Sequence, residues 1–277
     1  MSPTDFRTWL DHRNRSPLVM GVLNLTPDSF SDGGRFLTPD AGIAHAQQLI
    51  DEGADLLDIG GESTRPGSHP VPADEQLARI IPVLSAVASR FPIAISIDTT
   101  SSAVAAAALD AGAAIVNDIS AGRFDPQMLP LIARRRCPII LMHMQGTPAT
   151  MQVSPVYQDV VAEVIAFFKE RLAAGIDPAL TLLDPGLGFG KSQAHNLELL
   201  RRIPELLDLG RPLMIGASRK GFLGAITNEP EPDQRLAGTL ATTVWAVANG
   251  ASIVRVHDVK ANVAAIRVLR SIIGQSV

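Results

Sequence analysis

A single cysteine, Cys137, stands in the 277-residue chain, so no intrachain disulfide is possible. A reducing compartment fits that usage. No histidine stands at a zinc-ligand spacing from another histidine or from the cysteine, and a zinc site is not expected. Charge is equally spare. A formal net charge of −4 with 19% charged residues offers no basic excess of the kind that nucleic acid or an anionic membrane surface selects. No apolar run approaches the roughly 18 residues of a membrane span. Residues 1–17 are polar with scattered charges and lack the apolar centre of a signal peptide. The expectation is a soluble, cytoplasmic protein with no nucleic-acid or membrane partner. Low-complexity sequence is also missing, apart from an alanine-rich stretch at 103–108.

What is present is an alternation. Short apolar, β-prone runs occur at 18–23, 55–59, 93–97, 113–116, 138–142, 180–183, 212–215 and 252–256. Helix-like segments separate them at 39–52, 73–90, 101–111, 126–136, 156–174, 194–208, 219–248 (broken) and 259–273. Strand then helix, eight times over, argues an α/β fold, a single (β/α)8 TIM barrel over 18–277 after an N-terminal extension at 1–17. A doubly wound open sheet is the competing architecture. Glycines at 53, 112, 175 and 250 suit helix C-caps. Pro82 predicts a kink or break in its helix. The connections at 24–38, 60–72 and 144–155 are long, and in a barrel all three lie at the C-terminal face of the strands, where active sites form.

The strand ends carry polar groups throughout: Asn24; Glu62 to Arg65 after two glycines; Asp98; Asn117 and Asp118; His143; Asp184; Ser218, Arg219 and Lys220; Arg255, His257 and Asp258. In a barrel these converge on one pocket. Asp98, Asn117, Asp184 and Lys220 suit a flat heterocycle with several donors and acceptors on its edge, since a carboxylate can take two parallel N–H bonds from a guanidine-like edge. Arg65, Arg255 and His257 suit a phosphate or pyrophosphate. Asn24 offers a neutral oxygen to Mg²⁺.

Blander roles exist for each. Asp98 and Asp258 can cap the helices that follow them, and Asn117-Asp118 can form an Asx turn. His143 stays open between a structural and a functional role. Cys137, at the opposite end of its strand from the pocket, reads as structural. Gly190-Lys191-Ser192 matches the end of the phosphate-binding pattern G-x-x-x-x-G-K-[ST], but the first glycine would fall at 185, which is proline, so that reading fails. Lys191 is expected on a solvated face, and the glycines at 186, 188 and 190 are expected to let their loop lie close to a ligand ring.

These residues resemble a known family. Met20-Gly-Val-Leu-Asn24-Leu-Thr-Pro-Asp-Ser-Phe-Ser-Asp-Gly-Gly34 and Asp58-Ile-Gly-Gly-Glu-Ser-Thr-Arg-Pro-Gly67 resemble the first two signatures of the dihydropteroate synthases. Segments at 96–99, 116–119, 141–146, 184–191, 216–221 and 255–259 follow in the family's order. The resemblance implies a (β/α)8 barrel that joins 6-hydroxymethyl-7,8-dihydropterin pyrophosphate to p-aminobenzoate in folate biosynthesis, with Mg²⁺ and as a homodimer. Carried over position by position, it implies pterin binding by Asp98, Asn117, Asp184, Lys220 and Arg255, of which Asp98, Lys220 and Arg255 are the catalytic set. Asn24, Arg65, Arg255 and His257 fall at the pyrophosphate, with Asn24 as metal ligand. Thr64, Arg65, Pro66, Ser218, Phe30 and Phe189 fall at p-aminobenzoate. A methyltetrahydrofolate-corrinoid methyltransferase-like enzyme would share the pterin-holding residues but not need the 63–66 loop or the Arg255/His257 pair. An inactive pterin-binding paralogue would show erosion in the two long loops at 24–38 and 60–72, and none is visible.

Overall fold

The eight apolar runs become eight parallel strands: β1 (Leu18–Asn24), β2 (Leu56–Gly60), β3 (Ala94–Asp98), β4 (Ile115–Asp118), β5 (Ile139–Met142), β6 (Thr181–Asp184), β7 (Met214–Ile215) and β8 (Ile253–Val256). The computed structural model describes residues 1–12, 15–26, 38–65 and 67–274. Strand order is β6-β5-β4-β3-β2-β1-β8-β7, and a parallel bridge between Leu183 and Leu213 joins the two ends into a barrel. The open-sheet alternative is thereby excluded.

The intervening helices are α1 (Pro3–Asp11), α2 (Pro39–Asp51), α3 (Ala73–Arg90), α4 (Ser102–Asp110), α5 (Met128–Arg135), α6 (Val160–Leu172), α7 (Gln193–Arg201), α8 (Ile203–Leu207), α9 (Gly221–Thr227), α10 (Leu236–Ala248) and α11 (Val259–Ile272). All four expected C-cap glycines have positive φ, between 84° and 112°. Pro82 does not break α3, which runs on through it. Its face is exposed, so the carbonyl it leaves without an N–H can turn to water.

Alternation along the strands sorts the side chains into two sets. Outward-facing residues such as Val19, Leu57, Ile95, Val116, Leu141 and Val254 pack beneath the helices. Inward-facing Leu18, Met20, Leu56, Ala94, Ile115, Ile140, Leu182, Met214 and Ile253 form an apolar layer at the N-terminal end of the barrel. The sequence's extension seals this floor from below. Ser2 and Asp5 form a capping box that starts α1. Phe6, Trp9 and Leu10 then bury against the floor, with the Phe6 and Trp9 rings stacked 5.5 Å apart. The Met1 carbonyl accepts a bond from the Ala94 amide at 2.8 Å.

Candidate active site

Two residues further along each strand, in phase with the floor, stand Val22, Asp58, Ser96, Asn117, Met142, Asp184, Gly216 and Arg255. Another step of two reaches Asn24, Asp98, Ile119, Ser218 and His257. The barrel interior therefore changes from apolar to polar in one layer. Thr64, Asp98, Asn117, Ile119, Met142, Asp184, Phe189, Gly216, Ser218, Lys220, Arg255 and His257 line a single cavity above the floor. Nine of the residues singled out in the sequence are thus together. Arg65 is exposed and Asn24 half-buried, and neither lines the cavity. Phe30 and Pro66 lie outside the described residues.

Arg255 is the hub. Its Nε donates to Asp58 Oδ2 at 2.6 Å and a terminal nitrogen donates to Asp98 Oδ2 at 2.9 Å. Asn117 Nδ2 donates to the same Asp58 oxygen at 3.1 Å. Asp58 has no exposed surface, and the sequence reading passed over it as a site residue. Its signal was a carboxylate in the middle of Leu56-Leu57-Asp58-Ile59-Gly60, where an interior charge needs a partner. Opposite, Asp184 Oδ1 accepts from the Gly186 amide at 2.8 Å. Lys220 Nζ donates to the Leu187 carbonyl at 2.6 Å and sits 4.1 Å from the centre of the Phe189 ring. His257 Nδ1 and Ser218 Oγ are 3.0 Å apart. Asp58 Oδ1, Ser96 Oγ, Asp98 Oδ1 and Asn117 Oδ1 are buried without hydrogen-bond partners, so the polar layer is incomplete as it stands.

Burial drives the ionisation behaviour. It pushes the Asp98 carboxyl up to about 7; Arg255 pulls against this, while Asp58 and Asp118 push further up. Asp184 is also raised by burial, against its bond from Gly186 and the charge of Lys220. Lys220 is lowered to about 8 by burial, opposed by Asp184. His257 falls to about 3 through burial and then the charges of Arg255 and Arg219, so its imidazole is neutral near pH 7 and offers a hydrogen bond rather than a cation.

The blander roles separate cleanly. Asp118, not Asn117, makes the Asx turn, accepting from Ser120 and Gly122. Ser101, not Asp98, caps α4. Asp258 makes no capping bond and instead takes a two-point pair from Arg219 at 2.8 and 3.1 Å. Cys137 is buried and its thiol is pushed up to about 12 by burial, in keeping with a structural role.

One expectation is corrected. Lys191 is not on a solvated face: it is 2% exposed. Its ammonium lies 2.9 Å from His143 Nδ1 and donates to the carbonyls of Phe189, Gly186 and His143 at 3.0 to 3.2 Å. These bonds offset part of the cost of burying the group, whose pKa burial lowers to about 7 against the charge of Asp184. His143 thereby gains a structural partner, and its ring packs edge-on against Phe167 at 4.9 Å. The glycines at 186 and 190 also have close contacts inside the protein. A Cβ on Gly186 would lie 2.0 Å from the His143 carbonyl and one on Gly190 2.5 Å from that of Gln145, both at positive φ. They let the loop after β6 press onto the chain leaving β5.

Among the described residues no group of three His, Cys, Asp or Glu side chains is placed to hold a metal. The donor set beside the cavity, one Asn24 amide oxygen near Gly60, does fit Mg²⁺ that keeps water and phosphate as its other ligands.

A family model described as pterin binding enzyme matches residues 20–257. A dihydropteroate synthase from a Synechocystis species is 49% identical over 247 residues, covering 88% of this chain and 86% of its own. The dihydropteroate synthase of Escherichia coli K12 is 47% identical over 259 residues, covering 92% and 91%. Among solved structures, Xanthomonas albilineans dihydropteroate synthase with 4-aminobenzoic acid superposes with a TM-score of 0.89 at 46% identity, covering 96% of this chain and 95% of that one. The same enzyme in complex with 7,8-dihydropteroate gives 0.86 at 44%, covering 96% of each.

Proposed function

Because this chain belongs to the pterin binding enzymes, and within them to the dihydropteroate synthases, we propose that its pocket joins 6-hydroxymethyl-7,8-dihydropterin pyrophosphate to p-aminobenzoate, giving 7,8-dihydropteroate and pyrophosphate in folate biosynthesis. The enzyme is a transferase. The observation that carries the reading is the ring of buried acceptors left unpartnered in the polar layer, Asp98 Oδ1 and Asn117 Oδ1, with Asp184 across from them. A pterin edge supplies the missing N–H groups.

Asp98, Asn117 and Asp184 accept from the pterin, Lys220 donates to its carbonyl, and the Arg255 guanidinium stacks on its face. The bond from the exocyclic methylene to the pyrophosphate oxygen breaks, and its electron pair leaves with the pyrophosphate. The cation that remains is spread over the dihydropterin and stabilised by the Asp98 carboxylate. Arg65, Arg255 and an N–H of His257 hold the departing anion. When bound by Asn24, Mg²⁺ supplies further charge neutralisation there. The amine nitrogen of p-aminobenzoate, positioned by Thr64, Arg65, Pro66, Ser218, Phe30 and Phe189, then forms the new C–N bond and loses a proton to solvent. The amine is only weakly basic, so positioning rather than a strong base supplies most of the acceleration.

The reading extends to a cytoplasmic homodimer. Among the described residues no helix is long and apolar enough to cross a membrane. Val268 and Ile272, one turn apart on α11, are 61 and 75% exposed, an apolar strip that supports pairing with a second copy.

The test is pyrophosphate release measured with both substrates, with either alone, and with neither. Release that requires both is expected. Asp98→Ala and Lys220→Ala should each lose most of the turnover while keeping a wild-type melting transition. Full activity in either variant overturns the roles given to them.

A further inference from the structure

Asp58 touches none of the cavity's open space, yet two of the groups that do are tied to one of its oxygens. Asp58 Oδ2 accepts from Arg255 Nε at 2.6 Å and from Asn117 Nδ2 at 3.1 Å. We propose that Asp58 is the positioning residue that sets the hydrogen-bonding polarity of the pocket, making it selective for a heterocycle that offers N–H groups on that edge. The proposal rests on the pterin-binding reading above and deepens it.

An ionised carboxylate only accepts. An amide whose oxygen and nitrogen are otherwise interchangeable must therefore turn its NH₂ toward Asp58. Asn117 then presents its carbonyl oxygen away from Asp58, and that oxygen is buried and unpartnered. On the other side of Arg255, Asp98 Oδ2 is also engaged, at 2.9 Å, which leaves its Oδ1 buried and free. One buried anion thus fixes Asn117 as an acceptor, and through Arg255 it orients Asp98 as another. A ligand edge that presents acceptors there leaves lone pairs facing lone pairs, a mismatch that burial makes costly.

The register explains why the residue must be acidic and lie on β2. Asp58 is beside Ser96 on β3, and Asn117 is one strand further, beside Asp98. Met20, opposite Arg255 in the β1–β8 pair, is apolar. Among these inward neighbours, Asp58 is the carboxylate that reaches both Arg255 and Asn117.

The test uses the whole chain and two ligands, 6-hydroxymethylpterin and its 2-oxo analogue 6-hydroxymethyllumazine, titrated by fluorescence or calorimetry. The wild type is expected to prefer the pterin. Asp58→Asn can offer its own NH₂ to Asn117, so the amide is free to turn. That variant should lose at least roughly tenfold in pterin affinity, the value of one buried hydrogen bond, and its preference over the lumazine should shrink by a similar factor. The KM for p-aminobenzoate should stay near wild type, which a general loosening of the fold would not allow. The exchange variant Asp58→Asn/Asn117→Asp keeps both the mutual bond and an acceptor facing the pocket, and it should recover part of the preference. It also carries the test alone if Asp58→Asn does not fold: a folded exchange variant with no pterin preference overturns the proposal. A folded Asp58→Asn with wild-type pterin affinity and preference overturns it too, as does an equal loss for both substrates. A wild-type protein that binds neither heterocycle overturns the reading of the pocket itself, and this proposal with it.

Discussion

Asp98 is held 8% exposed beside Arg255, with Asp58 and Asp118 adding negative charge nearby. If its anion is what stabilises the pterinyl cation, the sign of the pH dependence follows. Burial raises the carboxyl to about 7, so the reactive anion is scarce well below that pH and fills in as pH rises through it. The profile of kcat/KM for the pterin substrate, which reports the free enzyme, should therefore climb through about pH 7, and Asp98→Asn should show low activity with that limb absent. Much at this scale was readable in advance, because a polar side chain at the end of an apolar run has few other reasons to be there. Asp98, Asn117, Asp184, Lys220 and Arg255 were all found that way, and they do line one cavity. Asp58 was missed because the polar residues read for that strand were Glu62 to Arg65, beyond Gly60 and Gly61, and Lys191 was misplaced because a lysine beside glycines reads as solvated. Only the fold reveals that three carbonyls and the His143 ring surround it.

Elements came through where pattern and punctuation agreed. The eight strands and most helices follow their apolar runs and caps to within a few residues. The segment at 194–208 instead divides at Arg202 into α7 and α8, where a proline at 204 suits the first turn of a new helix. The loop from β6 to α7 is the element with the most at stake. Its conformation depends on glycines under close contact and on one buried ammonium. Lys191→Met keeps the stem and removes the donors, leaving buried carbonyls unsatisfied. A loss of at least about 3 kcal/mol is expected, seen as a melting temperature lower by roughly 5 to 10 °C, and activity should fall with it because Asp184 and Phe189 flank the same loop. Helix α1 makes a contrasting case. Phe6→Ala opens a cavity against the floor and should cost about 3 to 5 kcal/mol in a denaturant melt, with KM values for both substrates near wild type where the protein remains folded.

Across the whole molecule the barrel divides by height, with an apolar layer and α1 at one end and the polar layer with its cavity at the other. Stability and chemistry are therefore separable by mutation. Val268 and Ile272 on α11 lie exposed on the outside of the barrel, and if the proposed dimer pairs through them, Val268→Glu with Ile272→Glu should turn it into a monomer, as read by light scattering on a sizing column. A retained dimer would place the pairing face elsewhere. The seal at the floor also has a consequence for how the chain is made. Helix α1 precedes every strand, so a ribosome releases it before any of them exists. It shares the apolar floor with Ile253 of β8, the strand that follows the other seven. The floor that α1 covers is complete only once β8 has emerged, so Phe6, Trp9 and Leu10 reach full burial late in the assembly of the barrel.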